Sequence, residues 1–186
     1  RGVFLARNIL GNVLQPPVNA ITPLPANVHP DLTTRERVAL QTEASACQTC
    51  HAMINPLGFA LEEYDAIGRL RTAENRNGQE RPINAMGNYQ PRTGKEAVFY
   101  GGRELGLYLA TNRDACETFV RGLFHALAKQ PLRAWGRDAL GELTDCFVSK
   151  NYSIRKLIVE IVLVMTKPTE SSLVDQPQGG NGNSKL

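Results

Sequence analysis

The chain has 186 residues, 42% of them apolar and 21% charged, with a net charge of +3. That length allows one domain with a real core, or one domain plus tails, and the balance is that of an ordinary globular protein rather than a disordered or fibrous one. Arginine far outnumbers lysine and no basic run or aromatic-interleaved patch occurs, which argues against nucleic acid as a partner; no stretch of about 18 apolar residues could span a membrane.

Val3 to Gly11 carries Val3, Phe4, Leu5, Ala6, Ile9 and Leu10 ahead of a glycine and predicts a short amphipathic helix ended by Gly11. The start, Arg1-Gly2-Val3-Phe4-Leu5-Ala6-Arg7, has neither Met nor signal peptide and reads as a mature or excised C-terminal piece of a larger protein. Residues 12–30 hold five prolines and no periodicity, so residues 1–30 are expected to form an N-terminal helix and an extended proline-rich connector packing on the domain. His29 falls in that connector as a loop residue. Asp31 or Thr33 is then placed to cap a helix through about Ala44, with Glu36 completing a capping box with Thr33.

That helix delivers the chain into Cys47-Gln48-Thr49-Cys50-His51. Two thiols one helical turn apart can add to the vinyl groups of a porphyrin, and the residue after the second is placed to ligate iron; Cys-x-x-Cys-His is the attachment signal of a c-type haem. Two other chemistries compete. Half of a zinc site would need a second cysteine pair, which Cys116 and Cys146 do not form, and a redox dithiol would want a preceding strand where a polar helix-like run stands. Haem attachment to thiols takes place on the exported side of bacterial membranes, so the motif implies a periplasmic or otherwise extracytoplasmic address.

Asn55-Pro56 reads as a cap and first position of a new helix on which Leu57, Phe59, Leu61 and Tyr64 pack. The ring of His51 needs an acceptor to hold one tautomer, and the carbonyl of Pro56 is the expected one. Residues 69–100 are rich in Gly, Asn, Arg and Pro and predict loops with a small β element, around 81–83 and 97–100. Helices follow at 103–111, at 114–128 with Asp114 and Glu117 as a capping box, at 138–150 and at 153–165, the last apolar along Ile154, Leu157, Ile158, Ile161, Val162 and Met165. From Lys167 the composition predicts a disordered tail, residues 167–186.

The run Cys47-x-x-Cys50-His51, Asn55-Pro56-Leu57-Gly58-Phe59, Leu61-Glu62-x-Tyr64-Asp65, Ile67-Gly68-Arg69 resembles the planctomycete-type cytochrome c domains. Arg1-Gly2-Val3 and Asn8-Ile9-Leu10-Gly11 upstream, with Phe119-Val120-Arg121 and Asn151 to Ile158 downstream, extend the resemblance to about Thr166. It implies a monohaem domain in the C-terminal part of a large exported protein. The fold expected is mainly α, a single haem-binding helical domain over residues 31–166.

The expected cofactor is one covalent haem c, held by Cys47 and Cys50 with His51 as proximal ligand and Pro56, Phe59, Met53, Gly122 and Arg121 around it. For the sixth iron position His125 is the first choice, because Gly122 and Ala128 clear a flat strip beside its ring; Met86, in a Gly/Asn-rich loop, is the alternative. Met165 is expected in the core. Arg69, Arg71, Arg121 and Lys129 are candidate partners for haem propionates, and Cys116 with Cys146 a candidate disulfide. The function expected is one-electron transfer with a redox partner protein and the other domains of the parent chain. A haem enzyme or sensor with an open distal site binding a small ligand or peroxide is one alternative; a structural haem in a docking module is the other.

Overall fold

The computed structural model describes residues 1–15 and 28–167. Most of the proline-rich connector and nearly all of the expected tail lie outside the described residues. The fold is mainly α with short antiparallel strands. The chain divides into two compact units, Arg1–Thr118 and Phe119–Leu186, each with its own hydrophobic core.

In the first unit, α1 (Gly2–Phe4) continues into a π-helical turn (Leu5–Ile9), which buries Leu5, Ala6 and Leu10. The expected helix is there, widened over Leu5–Ile9 into a π turn. Next comes α2 (Thr34–Gln41), opened by the expected capping box: the Glu36 amide donates to Thr33 Oγ1 (3.2 Å) and the Thr33 amide to Glu36 Oε2 (2.7 Å). It stops at Thr42 rather than Ala44. The motif helix is α3 (Ser45–Phe59), and it is unbroken. Pro56 therefore does not start a new helix. The carbonyl of Ala52 that the proline leaves without its helical donor sits at an exposed position, where water can reach it.

Two hairpins follow, β1 (Ala73–Arg76) with β2 (Gln79–Pro82) and β3 (Met86–Tyr89) with β4 (Ala97–Tyr100), both antiparallel. Strands β1 and β3 are too polar to betray themselves by alternation, so the sequence showed only their partners. Strand β3 lies against α3 with almost no room: a Cβ at Gly87 would meet the Pro56 carbonyl oxygen at 2.3 Å and the Phe99 ring at 2.6 Å. From the other end a Cβ at Gly2 would lie 1.9 Å from the Ile54 carbonyl oxygen. Both contacts are open only to glycine.

Helix α4 (Gly101–Thr111) closes this unit, and α5 (Arg113–Ala128) begins in it. The cap of α5 is Asn112, whose Oδ1 accepts from the Ala115 amide at 3.0 Å. Asp114, expected in that role, is instead buried and accepts from the Tyr89 hydroxyl (3.0 Å) and Arg92 Nε (2.7 Å).

The second unit holds the rest of α5, a 3-10 turn (Leu132–Trp135), α6 (Ala139–Ser149) and α7 (Ile154–Met165). Its core joins Val120, Phe124, Leu143, Phe147, Leu157 and Ile161. Only Leu157 and Ile161 of the apolar side of α7 are buried, and Met165, expected in the core, is 37% exposed. Among the described residues no helix is long and apolar enough to cross a membrane.

Candidate functional site

Cys47, Cys50 and His51 sit in the first three turns of α3, all half-buried. Spacings of three and four residues put them on one side of the helix. One turn further, the same helix supplies Ile54, Asn55, Gly58 and Phe59 to an open cleft of about 470 Å³, which begins at His51. That volume is within the range of sites for small molecules and cofactors. Arg1, Glu62 and Arg71 also line it.

The His51 ring is held from behind. Its Nδ1 lies 2.8 Å from Asn55 Oδ1, Asn55 Nδ2 donates to Thr42 Oγ1 at 2.8 Å, and the Thr42 hydroxyl donates to the Val38 carbonyl at 2.8 Å. The acceptor for His51 is thus the Asn55 side chain, not the Pro56 carbonyl, which is occupied by the Ala60 amide at 3.2 Å. Gln48, inside the Cys-x-x-Cys segment, donates its side-chain amide to the Thr42 carbonyl. Nε2 of His51 has no hydrogen-bond partner among the described residues. In the neutral ring it presents a lone pair.

Charge around the cleft is mixed. Arg71 Nη2 pairs with Glu62 Oε1 at 2.7 Å and also donates to the Glu62 carbonyl. Burial pushes the Glu62 carboxyl above its ordinary range, and the Arg71 and Arg1 guanidinium groups pull it back only in part. Arg1 donates to the carbonyls of Leu61 (2.6 Å) and Asp65 (2.9 Å). The Arg35 guanidinium stacks 4.4 Å above the Phe59 ring and donates to the Met86 carbonyl at 2.7 Å.

Of the residues expected at the site, His51 and Phe59 line the cleft together, and Arg71 of the arginine candidates joins them. Pro56 does not line it, and Met53 packs against the core of the first unit. Arg69 is engaged by Asp65 at 2.8 Å. Met86, 42% exposed at the start of β3, is tied to the cleft through Arg35 and Phe59. His29 is half-buried in a turn. Arg121, Gly122, His125 and Lys129 are exposed in the second unit; nothing would obstruct a Cβ at Gly122. All four cysteines are free thiols, Cys116 and Cys146 included, where the sequence led to a bridge. Burial raises the pKa of Cys116.

Thr42 and Asn55 were missed by sequence reasoning as partners of His51. The available signal was Asn55 itself, four residues after the histidine on the same helical face. No group of three or more His, Cys, Asp or Glu side chains able to hold a metal ion occurs among the described residues. What α3 offers is one imidazole nitrogen without a hydrogen-bond partner, with the two thiols of Cys47 and Cys50 on the same side of the helix.

A family model matches residues 1–74: PSCyt3, a protein of unknown function (DUF1588). The match takes in every residue that lines the cleft, from Arg1 to Arg71, and stops short of Met86 and His125. The family name is in line with the planctomycete cytochrome resemblance, while its function is unassigned. No curated protein and no solved structure matches the chain.

Proposed function

We propose that this chain is a monohaem c-type cytochrome domain carrying out one-electron transfer as part of a larger exported protein, with a periplasmic or otherwise extracytoplasmic address. The observation that carries the reading is His51: its Nδ1 is committed to Asn55, its Nε2 is unengaged, and it lines a cofactor-sized cleft, with two half-buried thiols just before it on the same helix. Cys47 and Cys50 would anchor the porphyrin by thioether bonds, and His51 Nε2 would ligate the iron. Phe59 and Ile54 offer apolar surface to the ring, and Arg71, already close to Glu62, is the charged group of the cleft suited to a propionate. Bound haem iron would supply the change of one electron; the chain's own part would be to fix the ligating nitrogen and set the local charge.

For the sixth position His125 and Met86 both remain proposals. Met86 belongs to the same unit as the cleft and is backed onto it by Arg35; His125 is exposed with open space at Gly122. The exposure of both side chains also favours a second reading, a distal side open to a small ligand or peroxide.

Visible spectra of the oxidised and reduced protein, matured in a host that attaches c-type haem, test this directly. A covalent low-spin haem is expected, lost in the Cys47→Ala, Cys50→Ala double variant. His51→Ala should abolish the low-spin spectrum, and whichever of His125→Ala and Met86→Ala converts it to high spin names the sixth ligand. A wild-type protein without covalent haem refutes the reading, and rapid, complete carbon monoxide binding to the ferrous form favours the small-ligand alternative.

A further inference from the structure

The hydrogen bonds behind His51 leave no freedom of direction. The Thr42 hydroxyl has one proton, and it is committed to the Val38 carbonyl, with the Ala39 carbonyl alongside at 3.4 Å. Thr42 Oγ1 can therefore only accept from Asn55. That forces the Asn55 amide to point its nitrogen at Thr42 and its oxygen at His51, and an amide oxygen can only accept. The proton of the His51 ring must then sit on Nδ1, with Nε2 as the ligating nitrogen. Thr42 is 6% exposed, so water does not compete for its hydroxyl. It is also the residue that terminates α2, and its carbonyl takes the Gln48 side chain. One buried residue thus sets the register of the motif and the tautomer of its histidine.

We infer that Thr42 and Asn55 are positioning residues that fix His51 in its Nδ1-protonated form and, through a neutral rather than anionic acceptor, hold the reduction potential of the bound haem up. The inference rests on the haem reading above. A carboxylate at position 55 would draw the Nδ1 proton toward itself and give the ring imidazolate character. A more basic ligand favours ferric iron. The neutral Asn55 amide withholds that push.

The test compares the wild-type holoprotein with Asn55→Asp, Thr42→Val and Thr42→Ser, reading the reduction potential and the exchange with water of the His51 Nδ1 proton by NMR. Asn55→Asp is nearly isosteric and should favour the ferric form about tenfold, a fall of about 59 mV for one electron. Thr42→Val frees the amide to turn and should speed exchange of the Nδ1 proton, while Thr42→Ser restores slow exchange. Should either position fail to tolerate its substitution, the other carries the test. Covalent haem present with an unchanged or raised potential in Asn55→Asp, or with wild-type proton exchange in Thr42→Val, overturns the inference alone. Absence of haem from the wild type overturns the inference together with the reading on which it rests.

Discussion

Glu62 lines the cleft at 9% exposure and is ion-paired to the Arg71 guanidinium at 2.7 Å. Burial dominates, so the folded state holds the Glu62 proton to a higher pH than the unfolded chain does. The sign follows from proton linkage: stability from this group is complete below the ordinary glutamate value and is lost as pH rises through the raised folded value. Thermal melts across that window should show Glu62→Gln losing less stability than the wild type as pH increases. Parallel curves would mean that Arg71 compensates the buried charge fully. Their pairing was not legible in advance, because the sequence places Glu62 and Arg71 nine residues apart, and the turn at 65–69, closed by Asp65 accepting from the Ile67 and Arg69 amides, returns one to the other.

At the level of elements, α3 is the piece on which the first unit is built, with α1 packed on one end and β3 on its flank. Because the approach at Gly87 is backbone to backbone, Gly87→Ala should cost about 1–3 kcal/mol by overpacking, read in urea unfolding. A smaller loss would mean that β3 can slide away from α3. What the sequence disclosed about elements was what local chemistry decides. The Thr33–Glu36 box stands where it was expected, since a cap is satisfied within three residues. The reading of Asn55-Pro56 as a helix start failed for a reason of the same kind: Asn55 was taken as a cap, but its side chain is spent on His51 and Thr42. The Cys-x-x-Cys-His spacing is plain in the sequence, and the residues behind His51 were not legible, because Thr42 reaches Asn55 across a bend between two helices.

For the molecule as a whole, two cores mean that damage can be confined. Leu157 is 1% exposed in the second core, and Leu157→Ala should destabilise by about 2–5 kcal/mol on denaturation. Since Cys47, Cys50, His51 and their supports all belong to the first unit, the yield of covalent haem in that variant should match the wild type. A fall in yield would show that attachment depends on the second unit. This division could not be read from the sequence: the apolar stripes of α5 and α7 announce burial, but not which partner provides it. The stripe on α7 also overstated its own burial, since Ile154, Val162 and Met165 stay exposed.

The two glycine contacts on α3 have a mechanical consequence. Side chains packed around a helix can change rotamer and let it roll; a carbonyl oxygen lodged against the backbone of Gly2 or Gly87 gives no such slack. The bearing of His51 is therefore set by main chain on two sides and by Thr42 behind. In the proposed haem reading, a ligand so clamped would move little on a change of oxidation state, which would keep the reorganisation energy of electron transfer low.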